Sequence, residues 1–262
     1  MKQVLQNLRS GQTTVTEVPR PGLGSNDVVI RTRRTLISAG TERMLVEFGK
    51  AGLIGKARSQ PDKVKQVLDK IKTDGLLPTL EAVFNRLDEP LPLGYCNAGV
   101  VEEVGAKVAE FKPGDRVISN GPHAEFVCVP RTLCAKIPDT VSDDEAAFTV
   151  LSSIGLQGIR LLHPNLGDRV VVFGLGLIGL VAVQLLKASG CAVLGVDMNP
   201  DRLAIAERFG VETVNAGNAD PIIAAMSWTD GKGVDGVLIT TATKSDDVMH
   251  QAAEMSRKRG KI

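Results

Sequence analysis

Aromatic residues are scarce in this 262-residue chain: Trp228 and Tyr95 are single occurrences, and Phe, Trp and Tyr together make up 3%. So few rings leave little aromatic surface for stacking single-stranded nucleic acid or sugars. Charge of one sign is also missing, with 31 Lys+Arg against 30 Asp+Glu, so no global field recruits nucleic acid or an anionic membrane. The four cysteines, Cys96, Cys128, Cys134 and Cys191, show no C-x-x-C spacing. They read as buried thiols in a reducing compartment rather than as a disulfide framework. Neither an apolar run of membrane-spanning length nor an N-terminal signal pattern occurs, and a soluble, cytoplasmic protein is expected.

Glycine, in contrast, is abundant, and three of its 27 residues carry a pattern, G-x-G-x-x-G at Gly174, Gly176 and Gly179. Such spacing arises by chance, so the flanking residues decide it. Val170 to Phe173 is an apolar run suited to a strand buried on both faces of a parallel sheet. Leu177 to Ala188 suits a crossover helix, and Cys191 to Asp197 a second strand ending in a carboxylate. Asp197 follows Gly174 at close to the roughly 20 residues expected of the acid that binds the adenosine ribose. A pyrophosphate at the helix N-terminus would meet unpaired N–H groups and the positive end of the dipole. The acid would repel a 2′-phosphate, so the expected cofactor is NAD. Its expected contacts are Gly174, Gly176, Leu177, Ile178, Gly179, Asp197 and Arg202.

Upstream, strand-like runs at Lys2 to Gln6, Thr13 to Val18 and Asp27 to Ser38 resume at Val100 to Val104, Lys112 to Ile118, Ala124 to Pro130 and Leu133 to Ile137. These are expected to close into one small barrel. Between them, Val64, Val67, Leu68 and Ile71, and then Leu80, Val83, Phe84 and Leu87, follow helical i, i+3, i+4, i+7 spacing, so a helical insert is expected at about residues 50–88. Its basic first half reads as a solvated face or as a lid or partner surface. After Asp197, helices are expected at Pro200 to Phe209, Pro221 to Trp228 and Asp246 to Lys258, with strands at Thr213-Val214 and Val234 to Thr240. Lys261 and Ile262 would only be starting a fifth strand, and a piece of a longer polypeptide is therefore expected. The fold class is α/β: a β-rich domain at 1–145 with its helical insert, then an incomplete doubly wound nucleotide-binding domain at 146–262.

The order Leu93-Gly-Tyr-Cys-Asn-Ala-Gly-Val-Val-Glu-Glu-Val-Gly105, then Phe111-Lys-Pro-Gly-Asp-Arg-Val117, then Gly174 to Gly179, resembles the medium-chain dehydrogenase/reductase superfamily of the zinc alcohol dehydrogenase type. Ser38 to Gly49, the insert, Pro90 to Tyr95 and Gly121 to Glu125 look like the N-terminal part of bacterial bi-domain oxidoreductases. The resemblance implies a GroES-like barrel followed by a Rossmann domain, hydride transfer between nicotinamide and an alcohol or carbonyl, and a fused or associated second oxidoreductase domain. A sugar or nucleotide-sugar substrate and a homodimer are further implications. It also exposes departures, for the family's zinc-binding C-G-T-D and G-H-E motifs read here Ala39-Gly40-Thr41-Glu42 and Gly94-Tyr95-Cys96. Alanine cannot coordinate, and catalytic zinc needs about three N, S or O ligands, so no metal is expected. A site rebuilt from Glu42, Cys96 and His123 is the alternative.

Without zinc, three residues are the candidates for proton handling. Tyr95 stands at the family's metal-binding histidine, where a phenol could be aimed at a carbonyl oxygen or a half-buried ring could simply close the barrel. Thr41 corresponds to a hydroxyl that relays the alcohol proton in the family. His123, in a Gly-Pro-His-Ala-Glu turn, is a general acid/base or a turn histidine bonding to backbone. Glu42 could cap a helix or act as a base, while His163 and His250 have weaker claims. A module that senses NAD or scaffolds a partner without redox activity of its own is the rival reading.

Overall fold

The computed structural model describes every residue except Gln60 and Lys244, and every side chain apart from those two and Leu53, Ile54, Ser59, Leu68, Asp74, Leu76, Leu77 and Leu80. Leu68 and Leu80, two apolar positions of the expected insert helices, thus lie outside the described side chains. The chain divides into two compact units, Met1–Val150 and Leu151–Ile262.

The first unit opens with β1 (Lys2–Gln6), β2 (Thr13–Glu17) and β3 (Asp27–Thr35). Four helices follow, α1 (Ala39–Lys50), α2 (Leu53–Ser59), α3 (Pro61–Asp74) and α4 (Leu76–Asp88). Then come β4 (Leu91–Pro92), β5 (Asn97–Val104), β6 (Arg116–Ser119), β7 (Phe126–Pro130), β8 (Cys134–Lys136) and the short α5 (Asp143–Ala146). The strands form two antiparallel sheets, ordered β2-β1-β4 and β7-β3-β5-β6-β8, with an isolated bridge between Gln3 and Ala124. Val28, Ile30, Val101, Phe111, Val117, Val127 and Val129 supply the apolar core. Helix begins at Ala39, well before the expected insert. The strand expected from Lys112 begins only at Arg116, because Lys112 and Asp115 close a Pro-Gly turn: the Lys112 N–H donates to the Asp115 carboxylate at 3.0 Å and the Asp115 N–H to the Lys112 carbonyl at 3.1 Å.

Charge also pins this unit. Arg116 donates to Asp143 Oδ1 at 2.6 Å and Arg33 to Oδ2 at 3.3 Å, with the Asp143 side chain only 18% exposed. Arg116, and secondarily Arg33, holds the Asp143 carboxyl below its ordinary value. The folded-state value is depressed, so this stabilisation is present above about pH 4 and is lost as pH falls through the folded value. Asp143→Asn is expected to cost about 1 kcal/mol at pH 7, the modest figure reflecting solvent screening, and urea denaturation at pH 7 and at pH 3 should show the penalty shrinking in acid.

The second unit contains all but the first two residues of α6 (Thr149–Leu162), then β9 (Arg169–Phe173), α7 (Leu177–Ala188), β10 (Ala192–Asp197), α8 (Pro200–Arg208), β11 (Glu212–Asn215), α9 (Pro221–Trp228), β12 (Val234–Ile239), α10 (Asp247–Met255) and β13 (Ser256–Lys261). Its five strands are parallel in the order β11-β10-β9-β12-β13. Side chains alternate across a strand. Accordingly Val170 and Val172 enter one core with Leu175, Val183 and Leu186, while Val171 and Phe173 enter another with Val196, Ala225, Val237 and Met255. This is the doubly wound arrangement, with β9 central and both faces covered. Asn199 and Asp220 cap α8 and α9, each followed by Pro at the first helical position. The Arg169 guanidinium stacks 5.5 Å from the Trp228 ring, and the indole N–H donates to Glu212 at 2.8 Å.

One expectation needs correction here. The last helix ends at Met255 rather than Lys258, and the fifth strand runs from Ser256 rather than starting at Lys261. Ser256 donates its hydroxyl to the Ala252 carbonyl at 2.7 Å, closing the helix, and β13 then pairs with β12 through Ser256 opposite Val234 and Lys261 opposite Gly236.

Candidate functional site

Two groups of residues, one in each unit, carry chemistry. In the second, β9 delivers the chain into the glycine turn at the carboxyl ends of the strands, beside the β9/β12 boundary where strand order reverses. Gly174 has φ +88°, and a Cβ on Gly179 would lie 1.9 Å from the Gly174 carbonyl oxygen. The two glycines therefore fit against each other, whereas none of the described residues lies within 4 Å of where a Gly176 Cβ would be. Gly176 is also the N-cap of α7 and offers no side-chain cap, so the first N–H groups of the helix meet that open space.

Asp197, at the end of β10, is tied to this turn. Its Oδ2 accepts the Leu175 N–H at 2.7 Å and its Oδ1 the Asn199 N–H at 2.8 Å, with the side chain 8% exposed. Arg202 approaches the same carboxylate at 3.5 Å, and Leu177 and Ile178 are half-buried in the first turn of α7. Six of the seven expected cofactor residues thus belong to one turn–helix–strand end, and Arg202 reaches it from α8. Thr240, just past β12, was not anticipated. Its hydroxyl donates to the Gly174 carbonyl at 2.6 Å and its N–H to the Phe173 carbonyl at 2.8 Å, fastening the turn across the β9/β12 boundary. A hydroxyl pair, Thr240-Thr241, at the carboxyl end of a parallel strand was the signal available for it. An open glycine with an uncapped helix start behind it and a carboxylate beside it fits a dinucleotide such as NAD.

The first unit brings together Thr41, Tyr95 and His123, the three expected proton-handling residues. Tyr95 donates its hydroxyl to Ser38 Oγ at 2.7 Å and lies 3.5 Å from Thr41 Oγ1. His123 Nε2 is 2.9 Å from Glu42 Oε2, and Glu42 Oε1 accepts the Ser38 N–H at 2.7 Å. Glu42 thus both caps its own helix and faces an imidazole. Sequence reasoning missed Ser38, which is buried although it starts α1.

The donor set does not fit a zinc site. Among the described residues no group of three or more His, Cys, Asp or Glu side chains could hold a metal ion, so Cys96 does not complete a set with Glu42 and His123. Burial raises the Cys128 and Cys191 thiols, and burial with Cys128 nearby pushes Cys134 up to about 12. Burial thus disfavours a free thiolate at each of them. His163 and His250 are exposed and join neither group. No helix among the described residues is long and apolar enough to cross a membrane.

Known proteins share this architecture. Residues 65–139 match the family described as alcohol dehydrogenase GroES-like domain, and residues 178–262 the family described as zinc-binding dehydrogenase. The chain is 30% identical to (R,R)-butanediol dehydrogenase of Bacillus subtilis over 174 residues, covering 56% of this chain and 50% of that protein. It is 28% identical to an alcohol dehydrogenase of Moraxella sp. over 257 residues, 84% of this chain and 75% of that protein. Alcohol dehydrogenase TADH from Thermus sp. ATN1 superposes with a TM-score of 0.75 at 23% identity, covering 98% of this chain and 75% of that structure, which speaks for the fold alone. The chain spans about half the length of the first of these curated relatives. A GroES-like unit with inserted helices followed by a Rossmann-like unit is the architecture of the medium-chain dehydrogenase/reductase superfamily, and this chain is similar along most of its length to alcohol-dehydrogenase-like oxidoreductases.

Proposed function

We propose that the protein is an NAD-dependent oxidoreductase that works without zinc on an alcohol/carbonyl pair. One observation carries the reading: the Gly174–Gly179 turn leaves the start of α7 uncapped and open while Asp197 is held against it through the Leu175 N–H. Gly176, Leu177 and Ile178 would hold the pyrophosphate and Asp197 the ribose hydroxyls, with Arg202 steadying the acid. Bound NAD supplies or accepts the hydride. The residues of the first unit handle the proton at the substrate oxygen: Tyr95 and Thr41 present hydroxyls, and His123 stands with Glu42 in the same cluster. The bi-domain resemblance supports a sugar or nucleotide-sugar substrate and a fused or associated second oxidoreductase domain, the superfamily supports a homodimer, and cysteines without C-x-x-C spacing suit a reducing, cytoplasmic setting.

The test is transfer of deuterium from NADH labelled at the nicotinamide C4 to a panel of carbonyl sugars and simple ketones. Label in the product supports the proposal. NADH binding with no transfer to any panel member would favour the second reading, an NAD-responsive module, which Ala39 in place of a thiolate ligand also supports.

A further inference from the structure

Among the described residues the His123 ring has a single polar partner, Glu42. Its N–H donates to the Leu93 carbonyl at 2.8 Å and its carbonyl accepts from Val4 at 2.9 Å, so the backbone is locked to its neighbours on both sides. Gly94 lies flat against the imidazole, where a Cβ would stand 2.7 Å from Cγ, Cδ2 and Cε1. The side chain is 10% exposed, and Nδ1 is buried with no hydrogen-bond partner among the described residues. Nε2 faces the equally buried Glu42 carboxylate.

This geometry selects a tautomer. A proton on Nε2 bonds to Glu42, whereas a proton on Nδ1 would be a buried donor with no acceptor, which is expensive. Glu42 sits in the first turn of α1. Its second oxygen binds the Ser38 N–H. Serine commonly caps its own helix, but the Ser38 hydroxyl makes no such bond and takes the Tyr95 hydroxyl instead.

We infer that Ser38, Glu42 and His123 form a chain of positioning residues, in which a His123 fixed in the Nε2–H tautomer holds Glu42, Glu42 holds Ser38, and Ser38 aims the Tyr95 phenol. Resting on the oxidoreductase reading above, this makes Tyr95 the catalytic residue of the chain and gives His123 no direct contact with substrate.

The test uses the full chain. Long-range proton–nitrogen NMR spectra, with the three histidines assigned by a His123→Gln control, are expected to show His123 as the Nε2–H tautomer at neutral pH. Glu42→Gln keeps an acceptor for the Ser38 N–H but presents an amide N–H₂ to Nε2, so the proton should move to Nδ1. Because Tyr95 is the single tyrosine, a ¹³Cζ label reports it without assignment, and its resonance should shift in both Ser38→Ala and Glu42→Gln. In turnover, Ser38→Ala should lower kcat about tenfold with KM changed less than about twofold, and Ser38→Thr should restore most of the loss. A native His123 protonated on Nδ1, or a Tyr95 resonance unmoved in both variants, overturns the inference. If the native chain turns over no substrate, the oxidoreductase reading fails, while the two spectroscopic results still decide the positioning chain.

Discussion

Gly179→Ala is expected to abolish the nucleotide turn. The added methyl would stand 1.9 Å from the Gly174 carbonyl oxygen and 2.8 Å from Thr240 Oγ1. The hydroxyl could rotate away, but the carbonyl cannot, because it belongs to the turn and accepts the Thr240 hydroxyl. Relief requires moving α7 away from β9, yet Ala182, Val183 and Leu186 of α7 are fully buried in the core that Val170 and Val172 enter. Overpacking of this kind costs on the order of 3 kcal/mol, and displacing α7 also moves the N–H groups proposed to meet the pyrophosphate. Thermal denaturation should show a lowered midpoint, and NADH fluorescence titration at least a tenfold weaker Kd. Gly176→Ala is the control, since its Cβ meets none of the described residues within 4 Å. It should leave stability nearly unchanged while weakening NADH binding, separating space kept for the ligand from space needed by the fold.

Tyr95→Phe carries the second large effect, this time on turnover. The substitution keeps the ring and removes one hydroxyl, which lies within reach of Ser38 and Thr41. A positioned proton donor contributes roughly 10²-fold or more to rate, so kcat should fall by about 10²-fold with NADH affinity unchanged. Stopped-flow measurement of NADH oxidation with a substrate found by label transfer would check this. Unaltered turnover would remove Tyr95 from the mechanism and leave Thr41 as the remaining hydroxyl.

Local rules made the second unit readable. Val170 to Phe173, the glycines and Asp197 sit in a strand–turn–helix–strand whose pattern lies within a short stretch, and α9 is announced by Asp220 as N-cap and Pro221 behind it. Features made by distant partners were not readable in the same way. Ser38 is an unremarkable serine until the fold sets it against Tyr95, 57 residues on, and Thr240 fastens a turn 66 residues earlier. The start of α1 was obscured because Gly40 and Thr41 are weak helix formers, so that tertiary contacts, Glu42 with His123 among them, decide it. Ser256 to Lys261 carries no alternating apolar pattern, and only backbone pairing with β12 makes it a strand.

The same His123–Glu42 contact changes how the expected acid/base residue is understood. Residue type alone suggested a group that titrates toward substrate, but a ring whose Nδ1 is enclosed with no partner among the described residues is held in one orientation. Choice of residue type and choice of role separate here because burial, not spacing, determines which atoms can reach solvent.

The placement of Tyr95 in one unit and of Trp228 in the other, where Arg169 stacks on its indole, gives each half of the molecule its own optical signature. Tryptophan emission follows melting of the Rossmann-like half alone, and tyrosine absorbance that of the GroES-like half. Whether the two halves unfold together or in sequence can therefore be read from one unlabelled sample.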